Sequence, residues 1–162
     1  MSRAGRIAAA ERGQKLPAFA NRTEAERALF SFRDDQLGLL WRLALASDAF
    51  QPSHAPESLK ALEQWYFDLL ERDAFTGLGT ERATFEECMA MYFLETAVRN
   101  SDVEWTVDEY AFEPGRYEIG VKRPLFAQYT MRITHLPLLR ENKRRQALYR
   151  EYRERFGRKA TV

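Results

Sequence analysis

Cysteine is almost absent. Cys88 stands alone in 162 residues, so neither an intrachain disulfide nor a Cys-based zinc motif can be assembled. That usage fits a reducing compartment. Histidine is nearly as scarce: His54 and His135 each lie near prolines, and no two histidines share the four-residue helical spacing that a zinc site uses. Long apolar runs are missing as well. No stretch of about 18 apolar residues offers a membrane span, and the short run Ala8–Ala10 leads into Arg12 and Lys15 rather than into a signal-peptide core. Together these absences predict a cytoplasmic protein with no membrane segment, no cofactor and no metal.

Motifs of catalysis are missing too. Gly77-Leu78-Gly79 is too short for a phosphate-binding loop and continues Thr80-Glu81-Arg82 rather than Lys-Ser or Lys-Thr. No Gly-x-Ser-x-Gly elbow occurs. Glu86, Glu87 and Glu95 lack the Glu-x-x-His pairs of di-iron bundles. The expectation therefore leans away from an enzyme.

What the chain has is enough apolar matter for a core. Hydrophobic residues make up 45% and aromatics 13%, well outside the composition of disordered chains, and the length suits one domain. Residues 1–20 read as a small, basic, aperiodic arm, flexible or loosely docked, and residues 21–162 as a single globular domain. The net charge of +1 conceals segregation. Residues 56–113 carry 14 acidic and 4 basic side chains, whereas residues 139–162 carry 9 basic and 3 acidic ones, and residues 1–33 carry 7 basic and 3 acidic. An acidic middle lies between basic ends.

Periodicity predicts an α+β fold, mostly helical, with about four to five helices. Thr23 and Glu26 have the spacing of a capping box. Asp34-Asp35 offers a second N-cap ahead of Leu37, Leu40, Trp41 and Leu45, so the stretch reads either as one long bent helix or as two short ones, with two favoured. After a loop over 47–56, Leu59, Leu62, Trp65, Tyr66 and Leu69 mark a helix whose polar side would hold Lys60, Glu63 and Asp68. Residues 73–83 read as loop. Thr84 and Glu87 suggest another capping box, opening a helix that ends near Asn100 and is apolar around much of its circumference; it should be the central one. The period then changes to two: Val103, Trp105 and Val107, then Tyr117, Ile119 and Val121 beyond the Pro114-Gly115 turn, predict an antiparallel hairpin, or a three-stranded sheet if residues 125–134 join it. Leu148, Tyr152 and Phe156, four apart, form the stripe of a last helix that follows Pro137 and ends at Gly157.

Three groups of residues are candidates for function. The acidic side chains Glu86, Glu87, Glu95, Asp102, Glu104, Asp108 and Glu109 could face a basic protein partner. Glu95 has Arg99 at i+4, which reads either as an ordinary helix ion pair or as a carboxylate at a groove rim. The Arg-rich terminal helix, with Arg144, Arg145 and Arg153, could neutralise phosphates while Tyr149 and Tyr152 stack on bases. Cys88 sits among Phe85, Met89 and Tyr92 and reads as core rather than nucleophile.

The segment from Thr84 to Val121 resembles a set of small α+β bacterial proteins of uncharacterised function. The resemblance rests on Tyr92, Phe93, Glu95 and Arg99 leading to Trp105 on a strand; Leu94 and Asn100-Ser101-Asp102 stand where such proteins usually carry glycine-containing steps. It implies a binding role, in some such proteins that of an immunity partner for a toxin. The expectation is a non-enzymatic interaction module that presents an acidic surface to a basic protein. The second reading is a nucleic-acid-binding protein working through the last helix. The third is a small-ligand-binding protein or unfamiliar enzyme, with its site among the Trp65 helix, the Tyr92 helix and the hairpin. Homodimerisation is compatible with all three.

Overall fold

A computed structural model describes residues 1–133 and 146–157. In chain order, the elements among them are α1 (Arg3–Lys15), α2 (Arg22–Leu45), α3 (Ser58–Glu71), α4 (Phe75–Leu78), α5 (Arg82–Asn100), β1 (Glu104–Glu109), β2 (Tyr117–Lys122) and α6 (Ala147–Phe156). This is the expected α+β fold, mostly helical with a two-stranded antiparallel sheet. The chain divides into two compact units. One comprises Met1–Arg33 with Glu104–Thr130, the other Asp34–Val103 with Met131–Val162.

In the first unit the alternation of β1 and β2 produces the expected hairpin, with Trp105 opposite Val121 and Val107 opposite Ile119. Its inner side buries Val107 and Tyr117 against Ala25 and Leu29 of α2. The third strand reduces to one bridge, between Val121 and Tyr129. Gly120 makes that bridge feasible, since a Cβ there would stand 2.3 Å from the Tyr129 carbonyl oxygen. Where the sequence showed an aperiodic arm, the structure has α1. This helix has almost no apolar stripe to announce it; polar bonds and a glycine hold it instead. Tyr110 donates its hydroxyl to the Ala9 carbonyl at 3.0 Å, Arg12 pairs with Glu118, and Gly13 lets the ring of Tyr110 approach closely.

Two helix starts differ from expectation. The cap of α2 is Asn21, whose Oδ1 accepts from the Glu24 amide at 2.9 Å, two residues ahead of the Thr23–Glu26 pair. Once started there, α2 runs unbroken for 24 residues, and Asp34-Asp35 lies within it rather than capping a second helix. Similarly α5 starts at Arg82 with Glu81 at the N-cap, which makes no side-chain cap bond; Thr84 already lies inside the first turn. The expected loop over 73–83 contains the short α4, closed by Gly79 in the left-handed conformation.

The second unit is built around α5. Phe85, Cys88, Met89, Tyr92, Phe93, Leu94 and Ala97 are all buried, as expected for a central helix, and burying each large apolar side chain contributes about 1.5–3 kcal/mol. Trp65 of α3 meets Phe85 edge-on at 5.0 Å, and Phe93 meets Tyr152 and Phe156 of α6 at 6.1 Å each. The stripe Leu148, Tyr152 and Phe156 is buried as its spacing implied, and Gly157 is the C-cap. Glu63 departs from the pattern. Expected on the polar side of α3, it is 6% exposed, and its Oε1 accepts from the Leu148 amide at 3.1 Å. The N-cap of α6, Gln146, makes no side-chain cap bond, so a carboxylate from α3 serves the Leu148 amide at this helix start.

A candidate ligand cleft beside Tyr92

Tyr92 lies near the middle of α5 because the apolar run there winds it into the core. Its hydroxyl must then find partners. It accepts from the His54 backbone amide at 2.9 Å and lies 2.6 Å from the Ser58 hydroxyl. Burial pushes the Tyr92 phenol above its ordinary range. The segment between α2 and α3 is thereby pinned to α5. Asn100 strengthens the pin by donating to the His54 carbonyl at 2.7 Å. His54 adopts a left-handed φ of 59°, uncommon without glycine, and its ring stacks on that of Tyr92 at 4.9 Å.

Beside this pin opens a cleft of about 490 Å³, within the range of small-molecule sites. Leu37, Gly38, Leu40 and Trp41 of α2 form one wall. Pro52, Ser53 and His54 form a second, while Tyr92 and Arg99 of α5 close the third. Trp41 is half exposed, so one ring at the cleft is available to a ligand. Gly38 keeps space open, and a Cβ at this position would meet only the Arg42 Nη1 atom at 3.6 Å. Desolvation, followed by the charge of Arg99, holds the His54 imidazole below its usual pKa of 6.5. Its Nδ1 is buried and has no hydrogen-bond partner among the described residues. Arg99 donates through Nε to Glu95 Oε1 at 3.0 Å, so the helix ion pair exists and it is Arg99, not Glu95, that lines the cleft.

The seven candidate carboxylates are divided between the two units: Glu86, Glu87, Glu95 and Asp102 in one, and Glu104, Asp108 and Glu109 in the other. Glu86 accepts from the Tyr66 hydroxyl at 2.7 Å and pairs with Arg82 at 3.6 Å; it lies nine positions from Glu95, about half a turn around the axis of α5. Glu87 is largely exposed, with its carboxyl raised by partial burial. Asp102 is exposed just beyond α5. On β1, Asp108 is flanked by Arg22 at 3.3 Å and Lys122 at 3.9 Å. Glu104 stands opposite Lys122, and Glu109 accepts from the Gly115 amide at 3.2 Å. Of the basic set, Arg153 is exposed with its guanidinium over the Tyr149 ring. Arg144, Arg145 and His135 lie outside the described residues.

Cys88 is fully buried, donates to Gln36 Oε1 at 3.2 Å, and has its thiol pushed up to about 12 by burial, the environment of an inert core cysteine. Among the described residues no group of three or more His, Cys, Asp or Glu could hold a metal ion, and no helix is long and apolar enough to cross a membrane. The third reading placed its site among the Trp65 helix, the Tyr92 helix and the hairpin. Tyr92 does line the cleft, but Trp65 is packed into the core at 4% exposure and the remaining walls come from α2 and residues 52–54. One signal was available for this: Gly38 interrupts a run of large apolar residues inside a helix, and such a glycine often marks a packing or functional demand.

Fold and cleft thus define a small, mainly helical α+β protein with a cleft between α2, residues 52–54 and α5. The profile of the family described as "Uncharacterised protein YwmA" matches residues 18–156, and the chain belongs to that family. A relative from Bacillus subtilis (strain 168), "Uncharacterized protein YwmA", is 27% identical over 120 residues, which cover 74% of this chain and 76% of the relative. The resemblance to small bacterial proteins holds at that level. No solved structure matches the chain.

Proposed function

We propose that this protein binds a small molecule in the cleft beside Tyr92. The observation that carries the reading is a preformed space of about 490 Å³ whose walls join several apolar side chains to a few polar groups, the composition expected of ligand sites. The Tyr92–Ser58–His54 pin supports it, because the cleft's walls are fixed before any ligand arrives and less ordering entropy opposes binding. The test is a titration of the 15N-labelled chain with a fragment set of mixed charge. Binders should shift the Trp41 indole resonance together with the amides of Gly38, Ser53 and Arg99. The substitution Gly38→Leu, which fills the space from α2, should abolish those shifts while the thermal midpoint holds or rises, since glycine inside a helix costs about 1 kcal/mol relative to alanine. Hits spread over the surface, or binding undiminished in G38L, would overturn the reading.

A second reading keeps a basic protein as partner, in the manner of an immunity-type or accessory protein. The exposure of Glu87, Asp102, Glu104 and Glu109 favours it. The neutralisation of Glu86, Glu95 and Asp108 within the chain weighs against it.

A further inference from the structure

The electrostatics of the cleft narrow what it would take, an inference that rests on the small-ligand reading above. Among the described residues that line it, Arg99 carries the one formal charge at pH 7, and none of them is a carboxylate. His54 adds no positive charge at that pH, because burial and the neighbouring Arg99 favour its neutral form. Glu95 is engaged through the Nε–H, at 3.0 Å, and is not among the described lining residues, although its charge reaches His54. That bond orients the guanidinium and leaves its two Nη groups as donors, the edge that matches a carboxylate in two parallel hydrogen bonds. The opposite character prevails on the α2 side. Leu37, Leu40 and the half-exposed Trp41 present an apolar surface on which a flat or branched hydrocarbon body can lie.

We propose that the ligand is a small organic carboxylate, its apolar body against Trp41 and Leu37 and its anionic end on the Nη edge of Arg99. A cation of the same shape meets no counter-charge among the described lining residues, and a neutral analogue forfeits the charge-assisted bonds. Because the Arg99 side chain is about half exposed (56%), water screens the pair and a preference of about fivefold over the neutral analogue is expected rather than the full strength of a buried pair. The preference should shrink as salt is raised.

Three isosteric probes decide it: 3-phenylpropionate, 3-phenylpropanamide and 3-phenylpropylamine, each titrated into the 15N-labelled full chain at pH 7 while the Trp41 indole resonance is followed. The acid should bind about fivefold tighter than the amide, and the amine weakest of the three. Arg99→Gln should bring the acid-to-amide ratio close to one, whereas Arg99→Lys should keep the acid ahead; thermal midpoints of both variants report that the fold is intact. An amide or amine that binds as well as the acid, or a ratio unmoved in R99Q, would overturn the carboxylate assignment while leaving a small-ligand site in place. Were none of the three to shift Trp41, the small-ligand reading would fall, and this assignment with it.

Discussion

Replacing Glu63 removes a hydrogen bond between two segments 85 residues apart in sequence. Its carboxylate accepts from the amide of Leu148, the second residue of α6, and the helix end contributes roughly half a positive charge close to it. In Glu63→Ala the Leu148 N–H loses a charged acceptor, worth about 1.5–3 kcal/mol, and no side-chain bond from Gln146 replaces it. Release from burying a carboxylate offsets part of the loss, so a net cost of about 1–2.5 kcal/mol is expected. Glu63→Gln keeps an oxygen in place and forfeits the charge, for about 1 kcal/mol. With a urea slope of about 2 kcal/mol/M, the midpoint in tryptophan fluorescence should fall by about 0.5–1.25 M for alanine and by half a molar unit at most for glutamine. Hydrogen exchange at the Leu148 amide should accelerate in the same order. An alanine variant within about 0.5 kcal/mol of the parent, or a glutamine variant as damaged as alanine, would show that the carboxylate does not cap α6.

Two further outcomes follow from the backbone and from the histidine. Leu125 has a left-handed φ of 69° with its side chain fully in solvent, so Leu125→Gly should raise stability by up to about 1 kcal/mol, the relieved strain exceeding the added freedom of the unfolded chain; a lower denaturation midpoint would mean that the leucine makes a contact of its own. His54 has a folded pKa below 6.5, so the unfolded chain binds the proton more readily. Its contribution to stability is complete above pH 6.5 and is lost as the pH falls from there through the lowered folded value. Between pH 7.5 and 5 the urea midpoint should therefore drop further in the parent than in His54→Asn, asparagine being chosen because it tolerates the left-handed backbone at this position; parallel pH profiles would refute the assignment.

Much of this protein was determined by local pattern. The alternation of β1 and β2, the encircling apolar character of α5 and the Leu148–Tyr152–Phe156 stripe each state their own burial, because a side chain's direction in a helix or strand follows from its position alone. What the tertiary structure decided lies where local signals were silent or competed. Two Asp residues that could cap a helix were absorbed into α2, since Asn21 had already started it and apolar contacts continued on both sides of them. The helix α1 carries no stripe, and became visible only through Tyr110, Glu118 and Gly13, contacts that span about a hundred residues of sequence. Glu63 reads as a solvated acid by spacing, yet it is buried because a helix end arrives above it. The cleft follows the same logic. Trp41, His54, Tyr92 and Arg99 look like a surface aromatic, a loop histidine, a core tyrosine and half of an ion pair; only the packing of α2, residues 52–54 and α5 places them around one space, because convergence of side chains from distant segments is a property of packing that no single segment encodes.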